Sequence, residues 1–357
     1  MNHCDQVLKA VDFFCGAGGM SYGLSRAGIK ILAGIDVDYQ CKETYEHNNK
    51  PAKFIQKDIR YLKNEELKEE IGIRKNDDSL IFVGCSPCQF WSKINTDKTK
   101  SESSAFLISE FRRFVKYFNP GYILIENVPG LKNKNEKTSL PEFLQFLEQQ
   151  KYVCDNDVVN AIRFGVPQNR NRFLLIASRR HRKIVLPKGR RNKRLTVRNF
   201  IGKIKSFPPI IAGHVDKPVR MHTAAALSNK NLQRIRTTPH DGGDRFAWRD
   251  DPELQIPAYE GKDKNFMDVY ARMWWDRPAP TITTRFNSLS NGRFGHPDQD
   301  RALSLREGAT LQTFPKRYRF ICSSQAAKAR LIGNAVPPAL AERIGKHLIR
   351  IDKNGKV

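Results

Sequence analysis

The chain has no apolar run near the roughly 20 residues that a bilayer-spanning helix needs, and its mean hydropathy is −0.56. Residues Met1–Gln6 lack the charged-then-apolar order of a secretory leader, so the expectation is a soluble, cytoplasmic protein. The seven cysteines show no regular spacing, which argues against a disulfide scaffold and for a reducing compartment. A zinc site would need a second ligand cluster, yet Cys4, Cys15, Cys41, Cys154 and Cys322 each stand alone, so no metal is expected. Internal repeats and long low-complexity tracts are missing too. Acidic residues are absent over one long stretch, from Arg179 to Lys205.

Positive charge is abundant. The 357 residues carry 62 Lys and Arg against 37 Asp and Glu, a net charge of +25. Such an excess attracts polyanions, and nucleic acid is the first candidate. The acid-free stretch concentrates it, and a block of one sign repels itself unless it has a partner, so a phosphate-facing stripe is expected there. The length allows one large core, or one core and a smaller domain.

Three early strand ends carry polar groups. Val7–Phe14 reads as an apolar strand, followed by Cys15-Gly16-Ala17-Gly18-Gly19 and a helix over Met20–Ala27. Glycines let backbone N–H groups approach a ligand, and the helix N-terminus favours an anionic group. A dinucleotide fingerprint would need a third glycine where Ser21 stands, which weakens a nicotinamide dehydrogenase reading. A second strand, Ile31–Ile35, ends at Asp36, about 20 residues past the glycines and placed for ribose hydroxyls; Asp38 suits a helix N-cap. A third, Lys53–Gln56, leads to Asp58-Ile59. The series fits a nucleoside-containing cofactor lying along the sheet edge.

Leu80–Val83 is a buried strand that delivers Cys85-Ser86-Pro87-Cys88-Gln89 to its carboxyl end, where open α/β sheets place their chemistry. Pro87 fixes its own backbone and restrains Ser86, so Cys88 is a plausible nucleophile on a stiffened turn. A redox pair with Cys85 and a merely buried thiol are the alternatives. Ser92–Ser104 reads as a polar loop and candidate lid, and Phe106–Phe118 as a core helix. Tyr122–Ile125 is another buried strand, closed by Glu126-Asn127-Val128-Pro129; desolvation there suits Glu126 to proton donation. Leu140–Gln150 reads as a helix and Val153–Val159 as a strand. Gln168, Arg170 and Arg172 alternate before the strand Phe173–Ala177, and would project together toward a phosphate or developing anion.

From Arg179 to about Pro280 the α/β rhythm stops. A strand is expected to begin at Thr281–Thr284, a helix over Ala302–Gln312 with Ser304 and Glu307 as a capping box, and a last helix over Ala339–Ile351.

These motifs, in this order and almost end to end, resemble the DNA cytosine-5 methyltransferases in their compact bacterial form. The residues that carry the resemblance are Asp12–Phe14 with Gly16-x-Gly18-Gly19, Asp36, Asp58-Ile59, Pro87-Cys88-Gln89, Glu126-Asn127-Val128, Gln168-x-Arg170-x-Arg172 and Gly333-Asn334-Ala335-Val336-Pro337. The resemblance implies a doubly wound, Rossmann-like α/β sheet that binds S-adenosylmethionine, with a second, smaller and irregular target-recognition domain. The implied domains are 1–180, catalytic and cofactor-binding and completed by 325–357, and 181–324, the target-recognition domain and return segment.

It further implies that Phe14 lies against the adenine, Asp36 holds the ribose, Asp58 accepts from the adenine amino group, and the Gly16–Gly19 backbone takes the methionine carboxylate. Ile59, Pro87 and Asn334 complete the cofactor set. Val37 stands where the family often has an adenine-stacking aromatic, so that contact should be weaker. Cys88 would add to cytosine C6, Glu126 would protonate N3 with Asn127 fixing its orientation, and Arg172 with Arg170 would neutralise a phosphate or the base carbonyl. Gln89, Gln168, Arg234, Arg236 and Arg245 would contact DNA, with further readers within Arg220–Arg249. The implied partner is double-stranded DNA carrying a short recognition sequence, the expected state is a monomer, and the setting is the bacterial cytoplasm and nucleoid. A cognate restriction endonuclease would share the site without being bound. A tRNA cytosine-5 methyltransferase is the alternative enzyme, and a non-catalytic DNA-binding protein the alternative class.

Overall fold

The computed structural model describes residues 7–86, 100–132, 139–190, 194–261 and 266–354, with side chains of the helix that starts at Lys100 described from Phe106 onward. Short apolar runs bounded by turn residues form the strands, and longer runs with apolar residues three and four apart form the helices. The first half contains β1 (Lys9–Phe13), α1 (Gly19–Ala27), β2 (Lys30–Asp36), α2 (Lys42–Asn48), β3 (Lys53–Gln56), α3 (Asn64–Ile71) and β4 (Leu80–Gly84). Then come α4 (Lys100–Phe118), β5 (Tyr122–Asn127), α5 (Leu140–Gln149), β6 (Val153–Asn160), β7 (Gln168–Asn169) and β8 (Asn171–Ser178). The remainder holds α6 (Val197–Ile201), α7 (Asn229–Thr237), β9 (Ala279–Pro280), α8 (Leu305–Leu311), α9 (Gln325–Asn334) and α10 (Pro338–Asn354).

Two compact units result: residues 1–164, 171–190 and 336–357, and residues 165–170 and 191–335. The division therefore falls elsewhere than at 180/181 and 324/325. The cause is local. Gln168 and Arg170 are hydrogen-bonded to Ile282, Leu311, Gln312, Gly333 and Ala335, all within the second unit.

The first unit is built on a seven-stranded sheet of order β3-β2-β1-β4-β5-β8-β6. Strands β1 to β5 are parallel, and only β8 runs against its neighbours β5 and β6. The strand order reverses between β1 and β4, and such a switch point opens a crevice at the strands' carboxyl ends. This is the doubly wound α/β architecture expected from the sequence. Strands buried on both faces read as continuous apolar runs, and Leu80, Ile81, Phe82 and Val83 are all fully buried.

On one face, α3, α4 and α5 pack on Val11, Phe13, Phe82, Ile123 and Phe173. Phe13 anchors this layer, its ring 5.1 Å from Phe82 and 5.3 Å from Phe111 in edge-on contacts. On the other face Gly34 leaves room for the α2 residue Tyr45, because a Cβ there would lie 2.3 Å from the tyrosine ring. The polar stretch Ser92–Ser104 is helical from Lys100 onward, as the start of α4, and its earlier part lies outside the described residues.

The second unit has little regular structure. Its core gathers Ile235, Trp248, Leu254, Val269, Tyr270, Leu289 and Ala302. With few ladders, its buried carbonyls need other donors, and arginines supply them. Arg272, fully buried, donates to the carbonyls of Ile235, Thr238, His296 and Gln299 and to Asp300. Arg306 donates to those of Arg220 and Tyr318. The expected strand at Thr281–Thr284 does not form. Pairing stops at β9, two residues long, because the Ile282 N–H donates to the Gln168 side chain and its carbonyl accepts from Arg170. The capping box expected before α8 is present: Ser304 Oγ accepts from the Glu307 N–H, and the Glu307 carboxylate from the Ser304 N–H.

Candidate active site

The carboxyl edge of the first unit's sheet brings the expected site segments together. After β1 the chain turns sharply, with Phe14 at φ +61°, Gly16 at +51° and Gly18 at +79°. A bulky side chain in the left-handed region costs on the order of 1–3 kcal/mol and persists where surrounding contacts fix it. Here β2 fixes it. The Cys15 N–H donates to the Ile35 carbonyl at 3.1 Å, and the Gly16 N–H to Asp36 Oδ2 at 2.8 Å. Gly18 admits no side chain, since a Cβ would lie 2.3 Å from Asn49 Nδ2. A Cβ on Gly16 would meet open space, which leaves room for a ligand against the backbone.

Asp36 Oδ1 accepts from the Asp38 N–H at 2.9 Å, so each oxygen holds one backbone donor and keeps lone-pair capacity for hydroxyls. Burial pushes its carboxyl above the ordinary range, against the pull of those two bonds. Asp38 caps the short turn Tyr39–Cys41. Asp58 is engaged by Arg60, whose guanidinium holds that carboxyl below its ordinary value. Ile59 is buried in the core, and its carbonyl accepts from Arg113 at 2.9 Å.

Behind the glycine turn lies a network that the sequence reading missed. Ser21 Oγ donates to Asp12 Oδ2 at 2.6 Å and lies 2.9 Å from the Tyr45 hydroxyl. Asp12 is fully buried, and its Oδ1 has no hydrogen-bond partner among the described residues. Burial pushes the Asp12 carboxyl up to about 7, against the Ser21 hydrogen bond. The available signal was Ser21 itself, standing where a dinucleotide loop would carry glycine.

At the end of β5, Glu126 is 7% exposed, and its Oε1 accepts no hydrogen bond among the described residues. Arg172 projects from the neighbouring β8, with Nε 3.2 Å from that oxygen but off the hydrogen-bond direction. The two form a largely buried ion pair at the carboxyl end of β5. Asn127 does not bond to Glu126 as expected. Its Nδ2 donates to Ser86 Oγ at 3.2 Å and its Oδ1 accepts from the Val128 N–H at 2.7 Å, tying the end of β5 to the residue before Pro87. Pro87, Cys88 and Gln89 lie outside the described residues.

Four expectations are corrected. Gln168, Arg170 and Arg172 do not project together. Gln168 is fully buried, its amide donating to the Leu311 carbonyl and Gln312 and accepting from Ile282. Arg170 is 2% exposed and bonds to the carbonyls of Ile282, Gly333 and Ala335. These two hold the second unit together and do not face solvent. Arg234 is buried between Trp248 and Tyr270 and donates to the Leu254 and Gln255 carbonyls. Arg245, 5% exposed, packs on Phe246 and Tyr259 and is turned into the second unit rather than toward solvent. Arg236, by contrast, is exposed at the end of α7, and Asn334 is exposed at the end of α9.

A family model described as C-5 cytosine-specific DNA methylase matches residues 8–350. The chain belongs to that family. A Type II methylase of Herpetosiphon aurantiacus, M.HgiDII, is 40% identical over 96% of each chain. The Type II methyltransferase M1.HphI of Haemophilus parahaemolyticus is 31% identical, over 97% of this chain and 88% of its own. A crystal structure of a DNA modification methyltransferase encoded within an E. coli prophage superposes with a TM-score of 0.73. It covers 96% of this chain and 99% of its own at 22% identity, and thus shares the fold.

This methylase is therefore a DNA cytosine-5 methyltransferase, with DNA as substrate and S-adenosylmethionine as cofactor; the tRNA alternative is not favoured. The first unit fits that cofactor on its own features. These are the open space at Gly16, the N–H groups opening α1, and a carboxylate at Asp36 with acceptor capacity left. No helix among the described residues is long and apolar enough to cross a membrane.

Proposed function

We propose that this methylase modifies one cytosine of a short duplex sequence through a transient bond between Cys88 and the base. The observation that carries the reading is the Glu126–Arg172 pair at the end of β5, beside the Asn127–Ser86 tie that leads into Pro87-Cys88. Phe14, the Gly16–Gly19 backbone, Asp36, Asp58, Ile59 and Pro87 would hold the cofactor, with Arg60 yielding Asp58 to the adenine amino group. When bound, S-adenosylmethionine supplies an electrophilic methyl group on a sulfonium.

The target base is unreachable inside a duplex and is flipped into the site. The Cys88 thiolate adds to C6, and Glu126, having taken a proton from solvent as the base enters, gives it to N3, so the ring gains no net charge and C5 becomes enamine-like. Arg172 compensates the carboxylate that Glu126 leaves behind. Once C5 carries the methyl group, water removes the C5 proton, the ring electrons expel the thiolate, and N3 returns its proton to Glu126.

With Gln168, Arg234 and Arg245 buried inside the second unit, sequence reading by that unit falls to exposed groups such as Arg236. The likeness to Type II methylases favours a restriction–modification setting. There a monomeric enzyme would work on cytoplasmic, nucleoid DNA and share its site with an endonuclease that it does not bind. The test is trapping on a 5-fluorocytosine duplex. The adduct should map to Cys88 and vanish in Cys88→Ser, while Cys85→Ser remains active. An adduct at Cys85, or full activity of Cys88→Ser, overturns the mechanism.

A further inference from the structure

The exposed charge of α10 is of one sign. Arg343, Lys346, Arg350 and Lys353 recur at intervals of three and four, which places them in a stripe along one face of the helix. All four are exposed, while the opposite face buries Leu340, Ala341, Ile344 and Leu348. The acids described in α10, Glu342 and Asp352, are both engaged. Glu342 lies between Arg26 at 3.0 Å and Lys346 at 2.6 Å, and Asp352 accepts from the Tyr122 hydroxyl and pairs with Arg180.

A second element adds to the stripe. His347 bonds to the Val185 carbonyl at 2.6 Å, and Arg180 bonds to Asp352, so the chain from 180 to 185 lies along the same half of α10. Two exposed cations of that chain, Arg182 and Lys183, have no acid partner among the described residues. Cations in the last turn complement the helix dipole. That accounts for Arg350 and Lys353, and the Glu342 pair for part of the charge at Lys346, but neither accounts for Arg343 two turns earlier. A merely solubilising face would mix signs.

The stripe is remote from the chemistry. Tyr122, bonded to Asp352, begins β5, whereas Glu126 lies at the other end of that strand, about 13 Å along it at 3.3 Å per residue. Ile349 and Gly345 lie against Gly28 and Ala27, past the end of α1 furthest from the glycine turn. From Arg343 to Lys353 the stripe runs about 15 Å, the axial length of roughly four base-pair steps at 3.4 Å each.

We propose that this ridge is a second DNA-contacting surface. It holds the phosphate backbone of a duplex segment other than the one carrying the target cytosine, and so keeps the methylase on long DNA between sites. The inference concerns binding alone and stands whether or not Cys88 acts as described above. The test removes the charge with Arg343→Gln, Lys346→Gln, Arg350→Gln and Lys353→Gln together. A charge-preserving set (Arg343→Lys, Lys346→Arg, Arg350→Lys, Lys353→Arg) serves as the folding control.

The recognition sequence, identified by bisulfite sequencing of DNA from an expressing host, is placed in two substrates. One is a duplex of about 14 base pairs, little more than a helical turn, and the other is of kilobase length. On long DNA the neutralised protein should show a plot of log affinity against log salt that is shallower by about 3 to 4, at 0.9 per lost phosphate contact. Its KM there should rise at least about tenfold at the salt where such contacts dominate. On the short duplex kcat and KM should stay within about twofold, and the charge-preserving set should match the native protein on both. An unchanged slope on long DNA overturns the proposal, as does an equal loss on the short duplex.

Discussion

Glu307→Gln tests the electrostatic centre of the second unit. Glu307 is fully buried, and both its oxygens face the Arg301 guanidinium, at 2.8 and 2.7 Å, while Oε2 also accepts from the Ser304 N–H. Burial alone would raise the Glu307 carboxyl, but Arg301 holds it at about 2. Measured against an ordinary value of 4.5, that depression corresponds to stabilisation on the order of 3 kcal/mol at neutral pH. Losing one partner of a buried pair costs roughly 3–5 kcal/mol, which agrees. His296 adds no charge there, since burial pushes it down to about 4 and keeps it neutral. The Glu307 contribution is complete above pH 4.5 and is lost as pH falls toward 2. The His296 contribution is complete above 6.5 and is lost as pH falls toward 4, because the unfolded imidazole takes a proton that the folded one refuses. Urea unfolding from pH 7 to 3 should show Glu307→Gln weaker by on the order of 3 kcal/mol at pH 7, with a flatter acid limb than the native protein. A loss below about 1 kcal/mol, the scale of an ordinary hydrogen bond, with the acid limb unchanged, would refute the buried-pair account.

Asn127→Ala should lower kcat by on the order of tenfold, the worth of one well-placed hydrogen bond, with S-adenosylmethionine affinity unchanged by calorimetry, because it frees Ser86 rather than the cofactor turn. Arg234→Ala should destabilise by about 2–3 kcal/mol by leaving the Leu254 and Gln255 carbonyls unpaired, whereas Arg236→Ala should weaken duplex binding and leave Tm in place. Asp12→Asn should gain on the native protein as pH rises. With the folded carboxyl near 7 against an ordinary 3.8, the native fold loses stability between those values, on the order of 4 kcal/mol at most, and matched melts at pH 5 and 8 would show it. Arg272→Lys should destabilise by about 3 kcal/mol in urea, since three ammonium donors cannot serve all the acceptors that the guanidinium reaches.

The sheet was legible because its strands are short apolar runs that end in polar residues. Asp36, Asp58 and Glu126 each stand at or just past the end of a short apolar run, and a parallel sheet brings such ends to one edge whatever lies between them. What escaped was the use of side chains as internal donors. Gln168 and Arg170 alternate with Arg172 and read as one polar row, yet the chain crosses from the second unit to the first between residues 170 and 171, so two of the three turn inward. Arg234 and Arg245 follow the ordinary rule that arginine stays at the surface, and nothing in their spacing announces a carbonyl waiting in a loop with no strand beside it. The resemblance gave Asn127 the task of orienting Glu126, but neighbours along a strand point to opposite faces, and its amide bonds to Ser86.

This internal use of arginine changes what the net charge means. An irregular unit with few ladders cannot satisfy its own carbonyls through strand pairing, and a flat fork of donors can close several of them from one side chain. Arg170, Arg234, Arg272, Arg293, Arg301 and Arg306 are all buried in the second unit, bonded to carbonyls or carboxylates. These side chains reach no phosphate, although each counts toward +25. The charge left for DNA is that of the exposed groups, among them Arg236 and the stripe on α10. For this methylase, the salt dependence of binding should therefore follow the placement of its exposed cations rather than their total.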